Sequence, residues 1–448
     1  MTIATKEEIA LRTGGTFHRM LIVRVNPRLR QSILAAGVAF AVGACGSGGT
    51  PAGLFSSDSS DLGGVISDEP RSALIGRDIL SSGGNAVDAA VATYFALSVT
   101  YPGAASLGGG GICIAFRGRE EDIEAIDFKA KRFEKDGKVA MVPGAVRGMF
   151  ALHARYGRLK WETLLLPAER LARFGNPVSR AFARRLAAVP PGQLMGSDVR
   201  RLFFPSGEKV GEGHFLSQLE LSASLSRIRL YGPGGFYAGD FAKQLAQGIG
   251  AAVGMEVPVS VLRDYRPKWL TTQKVGLGKD ELHLPANKIG TVAAEIWRGA
   301  IRQKKQAPHD SAGFISIDSQ GGGAACVVST NGMLGARRMI ASSGILMAAP
   351  PSGDVFSGVP MLLINRPLKD VRGAAAGSGG VDGTIRAVAT AKRVFDDGVP
   401  IDRAFGPLDG REGRANVIHC PKGARENTKS CWFGSDPAGD GLAASAAL

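Results

Sequence analysis

Apolar and polar positions along the chain alternate between two periods. From Asp68 onward, "EPRSALIGRDILSSGG" carries apolar residues at helical spacing and closes on Gly83 and Gly84, which predicts a helix that stops there. "NAVDAAVATYFALSV" (85–99) is almost wholly apolar or small and predicts a buried helix with Asn85 as its N-cap. Two strand-like runs follow, "ICIAFR" and "IEAIDF". Residues 144–187 predict three helices separated by Gly and Pro breaks, with another at 236–249 and a last at about 382–396. Between them, "FISID" and "AACVVST" alternate or run apolar as strands do. Helices and strands mix without regular βαβ alternation and without an internal repeat, which predicts layered α/β or α+β.

Composition narrows this picture. A chain of 448 residues suits two or three domains or one large α/β unit, and 44% hydrophobic with 21% charged residues excludes global disorder. The 62 glycines cluster at 46–49, 108–111, 321–323 and 373–380 without a collagen period, so each cluster is a local demand for tight turns or close approach. The net charge of +14 comes from dispersed Lys and Arg. With 7% aromatic residues there is no interleaved stacking pattern, no zinc-finger spacing and no helix-turn-helix signature, so no nucleic-acid partner is expected. The basic surface favours anionic ligands or an anionic membrane only weakly. The Gly108–Gly111 run lacks the GxGxxG spacing of a dinucleotide site, and the Cys and six His show no metal-ligand spacing. No cofactor and no metal are expected.

The N-terminal region reads as an export signal. Arg24, Arg28 and Arg30 precede an apolar run from Ile33 to Ala44, of signal-peptide length and too short to span a bilayer. "VGAC" ending at Cys45 resembles a bacterial lipobox, in which the cysteine is lipidated; a non-lipidated signal peptide is the alternative. The expected location is the bacterial periplasm, with a membrane anchor at Cys45. Residues 46–64 have linker composition. Of the other cysteines, Cys113 and Cys326 sit in apolar strand-like runs and are expected to be core thiols. Cys420 and Cys431 would close a loop as a disulfide in an exported protein.

At "GGNAVDAAVATYFALSVTYPGAASLGGGG" (83–111) the chain resembles the γ-glutamyltransferase (γ-glutamyltranspeptidase) family, and the similarity continues through 142–179 and 232–245. It resumes at "DSAGFISID", "TNGMLG" (330–335), "SSGILM" and "GSGG" (377–380). The resemblance implies an N-terminal-nucleophile hydrolase with a four-layer αββα sandwich. It also implies a precursor that cuts itself into large (65–310) and small (311–448) chains. The cleavage site would lie between Asp310 and Ser311, with Ser311 as the nucleophile in place of the family's threonine. Its new α-amino group would be the base, since such an amine has a pKa near ~8. Gly379 and Gly380 would offer N–H groups to a developing oxyanion. Lys129, Asn331 and Asp354 would bind the substrate.

The chain departs from the family pattern around these positions. Ala312 and Gly313 replace a threonine and a histidine, and Lys129 replaces an arginine, keeping charge but losing the bidentate fork. Leu362 and Leu363 align with a serine pair that holds the substrate's carboxylate in the family. Three readings follow. The first is a hydrolase or transferase of γ-glutamyl groups, as in glutathione breakdown. The second is an amidase for a related acyl group. The third is a catalytically impaired, lipid-tethered binding or structural protein.

Overall fold

The computed structural model describes residues 55–56 and 62–447, except 120–121, 191–194, 301–309, 352–357 and 408–411. Cys45, the predicted export segment, nearly all of the linker and Asp354 lie outside the described residues.

Helices of eight residues or more among the described residues are α1 (Pro70–Ser81), α2 (Ala86–Thr100), α3 (Ala145–Tyr156), α4 (Trp161–Phe174) and α5 (Arg180–Ala187). They continue with α6 (Leu219–Tyr231), α7 (Gly239–Val253), α8 (Lys288–Trp297) and α9 (Gly380–Phe395). Glu69 caps α1 by accepting from the N–H groups of Arg71 and Ser72, with Pro70 at the first helical position. Asn85 and Asp88 form a reciprocal capping box on α2, as the Asn85 N-cap predicted. Every residue of α2 is buried, which explains its nearly continuous apolar sequence.

Among the described residues, fourteen strands make two large sheets: β1 (Phe55–Ser56), β2 (Gly63–Ser67), β3 (Gly110–Phe116), β4 (Glu124–Asp127), β5 (Lys268–Leu270), β6 (Thr272–Leu277), β7 (Asp280–Pro285), β8 (Ala312–Asp318), β9 (Gly323–Ser329), β10 (Pro360–Asn365), β11 (Asp370–Ser378), β12 (Arg414–His419), β13 (Trp432–Ser435) and β14 (Leu442–Ala446). One sheet runs β14-β2-β8-β9-β3-β4-β5 and the other β1-β13-β12-β11-β10-β7-β6. The sheets face each other, with α1 and α2 outside the first and α8 and α9 outside the second. The four-layer αββα sandwich expected from the resemblance is the observed architecture.

Strand alternation assigns each side chain to one of three buried layers. Phe314 and Ala312 of β8 join the helix-side cluster with Val328 and α2 residues. Ile315 and Ile317 join the inter-sheet cluster with Val327, Leu362, Ala374 and Ile418. Leu363, Ala375 and Val417 pack beneath α8 and α9. Leu362 and Leu363 are thus core residues on the two faces of β10. Their side chains pack into those two clusters, Leu362 between the sheets and Leu363 beneath α8 and α9.

Other elements differ from the sequence reading. Cys113 and Cys326, directly opposite on β3 and β9, form a disulfide and are not free core thiols; Cys420 and Cys431 form a second. The 236–249 helix is split at Gly239, whose φ is +67°, into Gly234–Tyr237 and α7. Helix α6 escaped the apolar count because Ser222 and Ser224 occupy its buried side, the latter donating to the Ser343 carbonyl at 2.7 Å.

One carboxylate ties the sheets together next to β8. Asp68, just after β2, is buried and accepts three hydrogen bonds. Its Oδ2 receives the Gly313 N–H (2.8 Å) and the Ser378 hydroxyl (2.5 Å), and its Oδ1 receives the Asn416 amide (2.7 Å). Gly313 belongs to one sheet, and Ser378 and Asn416 to the other. The Gly313 carbonyl in turn accepts from Asp68 N–H and Asn416 Nδ2, each at 3.1 Å or close to it.

Asp68→Ala would strand three buried donors, each costing about 1–3 kcal/mol. Urea unfolding is expected to show a loss of about 4 kcal/mol or more; a loss below about 1 kcal/mol would refute the tie. A second expectation concerns pH. His283 on β7 is buried with Nδ1 2.9 Å from the Thr272 hydroxyl, and burial, aided by Lys274, lowers its pKa to about 4. The unfolded imidazole titrates near ~6.5, so the folded state binds fewer protons between these values. Stability is full above pH ~6.5 and falls as pH drops toward 4, by about 3 kcal/mol from this residue. Urea midpoints of His283→Gln should fall less steeply across that window than those of the parent chain.

Candidate active site

Ser311 immediately precedes β8, and alternation puts it on the same face as Gly313, Ile315 and Ile317, which look toward the second sheet. Its side chain is fully buried. The Gly379 N–H donates to Ser311 Oγ at 2.8 Å. Gly379 ends the turn between β11 and α9, with φ of +97°, and a Cβ there would meet the Gly413 Cα at 3.0 Å. Glycine is required by both conformation and space. Gly380 follows as the first residue of α9, so the positive end of a 16-residue helix faces the Ser311 hydroxyl.

The Asp310–Ser311 peptide is held from the other side. Ser329, at the end of β9, donates its hydroxyl to the Asp310 carbonyl oxygen at 2.6 Å. Ser329 Oγ itself accepts the Asn331 N–H at 2.8 Å. Asn331 adopts φ of +64°, and its side-chain amide donates to the Ala349 carbonyl at 2.9 Å. The structure therefore brings Asn331 to the site through its backbone, with its side chain on the segment leading toward Asp354.

An ion pair anchors Asp310. Its carboxylate meets the Arg185 guanidinium of α5 at 2.7 Å, and both side chains are largely buried. Burial pushes the Asp310 carboxyl above its usual range, while Arg185 and Arg414 pull it back. Tyr101, just past α2, is buried, and burial raises its pKa while the charge of Arg185 pulls it back. Arg185 Nε is buried and has no partner among the described residues.

Lys129 stands apart. Register through Gly313, Val327, Ile112 and Asp127 puts it on the row of Ser311, three strands away, or about 14 Å. Its Nζ pairs with Asp127 at 3.1 Å. Ala312 faces α2 on the opposite side of the sheet, so its loss of a hydroxyl does not alter the surroundings of Ser311. Among the described residues, no group of three or more His, Cys, Asp or Glu is placed to hold a metal, and no helix is long and apolar enough to cross a membrane.

Sequence reading found Ser311, Asp310, Gly379 and Asn331, all of which meet here. It missed Asp68, Arg185, Ser329, Ser378 and Asn416. Ser329 carried one signal, its place on the "AACVVST" strand beside Asn331, and Ser378 another, its place inside "GSGG" beside Gly379; Asp68, Arg185 and Asn416 are isolated polar residues far away in sequence.

Chemically the site has a hydroxyl against an amide bond, a donor on that bond's carbonyl oxygen and a donor on the hydroxyl oxygen. That is the equipment for acyl transfer to a serine. Comparison with known proteins finds relatives of this chain in sequence and in fold. Glutathione hydrolase 3 of Arabidopsis thaliana is 31% identical over 249 residues, covering 52% of this chain and 39% of that protein. The glutathione hydrolase proenzyme of Escherichia coli (strain K12) is 35% identical over 206 residues, covering 41% of this chain and 35% of that protein. The chain thus spans well under half the length of these curated relatives. The crystal structure of a cephalosporin acylase from Bacillus halodurans superposes with a TM-score of 0.69 over 89% of this chain and 98% of that one, at 16% identity, a likeness of fold. Residues 72–298, about half of the chain, match the family described as Gamma-glutamyltranspeptidase, and to that family the chain belongs.

Proposed function

We propose that this chain is an N-terminal-nucleophile hydrolase or acyl transferase that cuts itself between Asp310 and Ser311. It then hydrolyses or transfers a γ-glutamyl or related acyl group carried on an amide, the substrates being small molecules. The observation that carries the reading is the pair of donors flanking one peptide bond, Gly379 N–H on Ser311 Oγ at 2.8 Å and Ser329 Oγ on the Asp310 carbonyl at 2.6 Å.

Self-cleavage follows from that pair. Ser311 Oγ attacks the Asp310 carbonyl carbon, and the negative charge that develops on the oxygen is met by the Ser329 hydroxyl. The hydroxyl proton passes to the Ser311 amide nitrogen as the C–N bond breaks. An Asp310–Ser311 ester and a free α-amine result. Water hydrolyses the ester, so Asp310 ends the large chain and Ser311 begins the small one. In later turnovers the α-amine takes the Ser311 proton and delivers it to the departing amine of the substrate. Water or an acceptor amine then takes the acyl group from Ser311 Oγ. The donor geometry around Ser311 favours this reading over an impaired binding protein.

We further propose an exported bacterial lipoprotein, anchored through Cys45 on the periplasmic side of a membrane. Support comes from the basic and apolar segments before "VGAC" and from two disulfides, which persist in oxidising compartments.

Purified protein is expected to run as two chains on a denaturing gel, with N-terminal sequencing of the smaller starting at Ser311. Ser311→Ala should remain one chain, and a parent protein that stays intact indefinitely rules out self-processing. Ser329→Ala should cleave about 10²–10³-fold more slowly, with Ser329→Thr close to the parent rate. Processed protein should release the amine from a γ-glutamyl anilide. Cys45→Ala should abolish incorporation of labelled palmitate; a label that persists moves the anchor elsewhere.

A further inference from the structure

The Arg185 guanidinium is a costly feature for a simple structural pair. Burying a cation is costly unless its donors are used, yet Nε is buried and has no partner among the described residues. Nε and Nη2 form the side-on fork with which arginine grips a carboxylate through two parallel bonds. Asp310 stands at one prong of it as an ion pair, Oδ1 to Nη2 at 2.7 Å, and Glu412 lies farther off on the other side, 4.0 Å from Nη1. The chain holds Asp310 at both ends: its carbonyl is on Ser329 and its nitrogen continues the backbone. A free carboxylate is not restrained in this way and can take both prongs.

Asp310 also measures the distance the site accepts. Its carboxylate lies three bonds from the carbonyl carbon that faces Ser311, about 4 Å in an extended chain. A small acyl group with a carboxylate three or four bonds from its scissile carbonyl therefore reaches the guanidinium. Lys129 is committed to Asp127 three strands away and is not needed for this.

We propose that Arg185 is the carboxylate-binding residue of the processed site, occupied by Asp310 in the precursor and by the substrate's acyl-chain carboxylate after cleavage. The substrates are monoamides of four- and five-carbon dicarboxylic acids, with or without an α-amino group. The proposal rests on the acyl-transfer reading above. It deepens that reading by naming the acyl class and the residue that selects it.

The test uses processed full-length protein and three anilides: γ-glutamyl, glutaryl, and butanoyl, which lacks the carboxylate. The parent should favour glutaryl over butanoyl anilide in kcat/KM, and Arg185→Gln should shrink that ratio about 10- to 100-fold, the worth of a charged hydrogen-bonded contact. Glutarate alone should raise the Tm of the processed parent and not that of Arg185→Gln. Where Arg185→Gln does not process, Arg185→Lys is compared on the same two readouts, with a raised KM for glutaryl anilide expected. A preference for glutaryl that survives in a processed Arg185 variant overturns the proposal. So does a parent protein that glutarate does not stabilise. If the processed parent cleaves none of the anilides, the acyl-transfer reading fails, and the glutarate measurement still decides whether Arg185 binds the carboxylate.

Discussion

A single buried carboxylate sets the register between the two sheets, and the reactive geometry depends on that register. Asp68 holds Gly313 of one sheet and Ser378 and Asn416 of the other. Ser311 lies two residues before Gly313, and Gly379 lies one residue after Ser378. The carboxylate therefore fixes both partners of the 2.8 Å contact between Gly379 and Ser311 from directly behind them. Hydrophobic packing between sheets is non-directional and tolerates small slips, whereas three hydrogen bonds to one ion do not. The buried carboxylate is accommodated there because every one of those donors is aimed at it.

Much of this was legible in the sequence, and what was not has identifiable causes. The strand after Ser311 and the helix after Asn85 announced themselves by alternation and by a continuous apolar run. Strand β11 did not, because "DVRGAAAGS" is built of small residues that carry little strand preference. Its smallness is a packing demand: a Cβ on Gly377 would sit 2.2 Å from the Gly383 carbonyl oxygen of α9, and one on Gly373 2.6 Å from the Phe395 ring. The Cys113–Cys326 bond was hidden because its two cysteines look like ordinary apolar strand residues until register sets them opposite each other. Leu362 and Leu363 show the converse error, in which aligned positions suggested a pocket and the strand put them in two separate cores.

The polar residues that surround Ser311 were the least legible. Asp68 meets Gly313 across 245 positions and Asn416 across 348. No local pattern links residues so far apart, and each alone reads as a turn or cap residue. Arg185 is a stronger instance, since it lies in a run of arginines on α5 whose neighbour Arg184 faces solvent and pairs with Asp440. Only the pairing with Asp310 separates one from the other. The dispersed charge of +14 thus contained one buried cation that matters to the site, and composition could not name it.

Full burial of Ser311 links the proposed maturation to the proposed substrate choice. A hydroxyl with no exposed surface cannot receive an external amide, and the space in front of it is taken by the chain's own Asp310. The same bond therefore withholds the catalytic base, by keeping the α-amine in a peptide, and keeps the acyl position filled. Breaking it releases both constraints in one step. Because the occupant is an acyl group with a carboxylate on an arginine, the precursor is already arranged around the kind of group it would later accept. Lys129, by contrast, offers an ammonium without a planar fork and pairs with Asp127. Selectivity in this chain is better sought on α5, where the guanidinium touches the residue that self-cleavage would cut free.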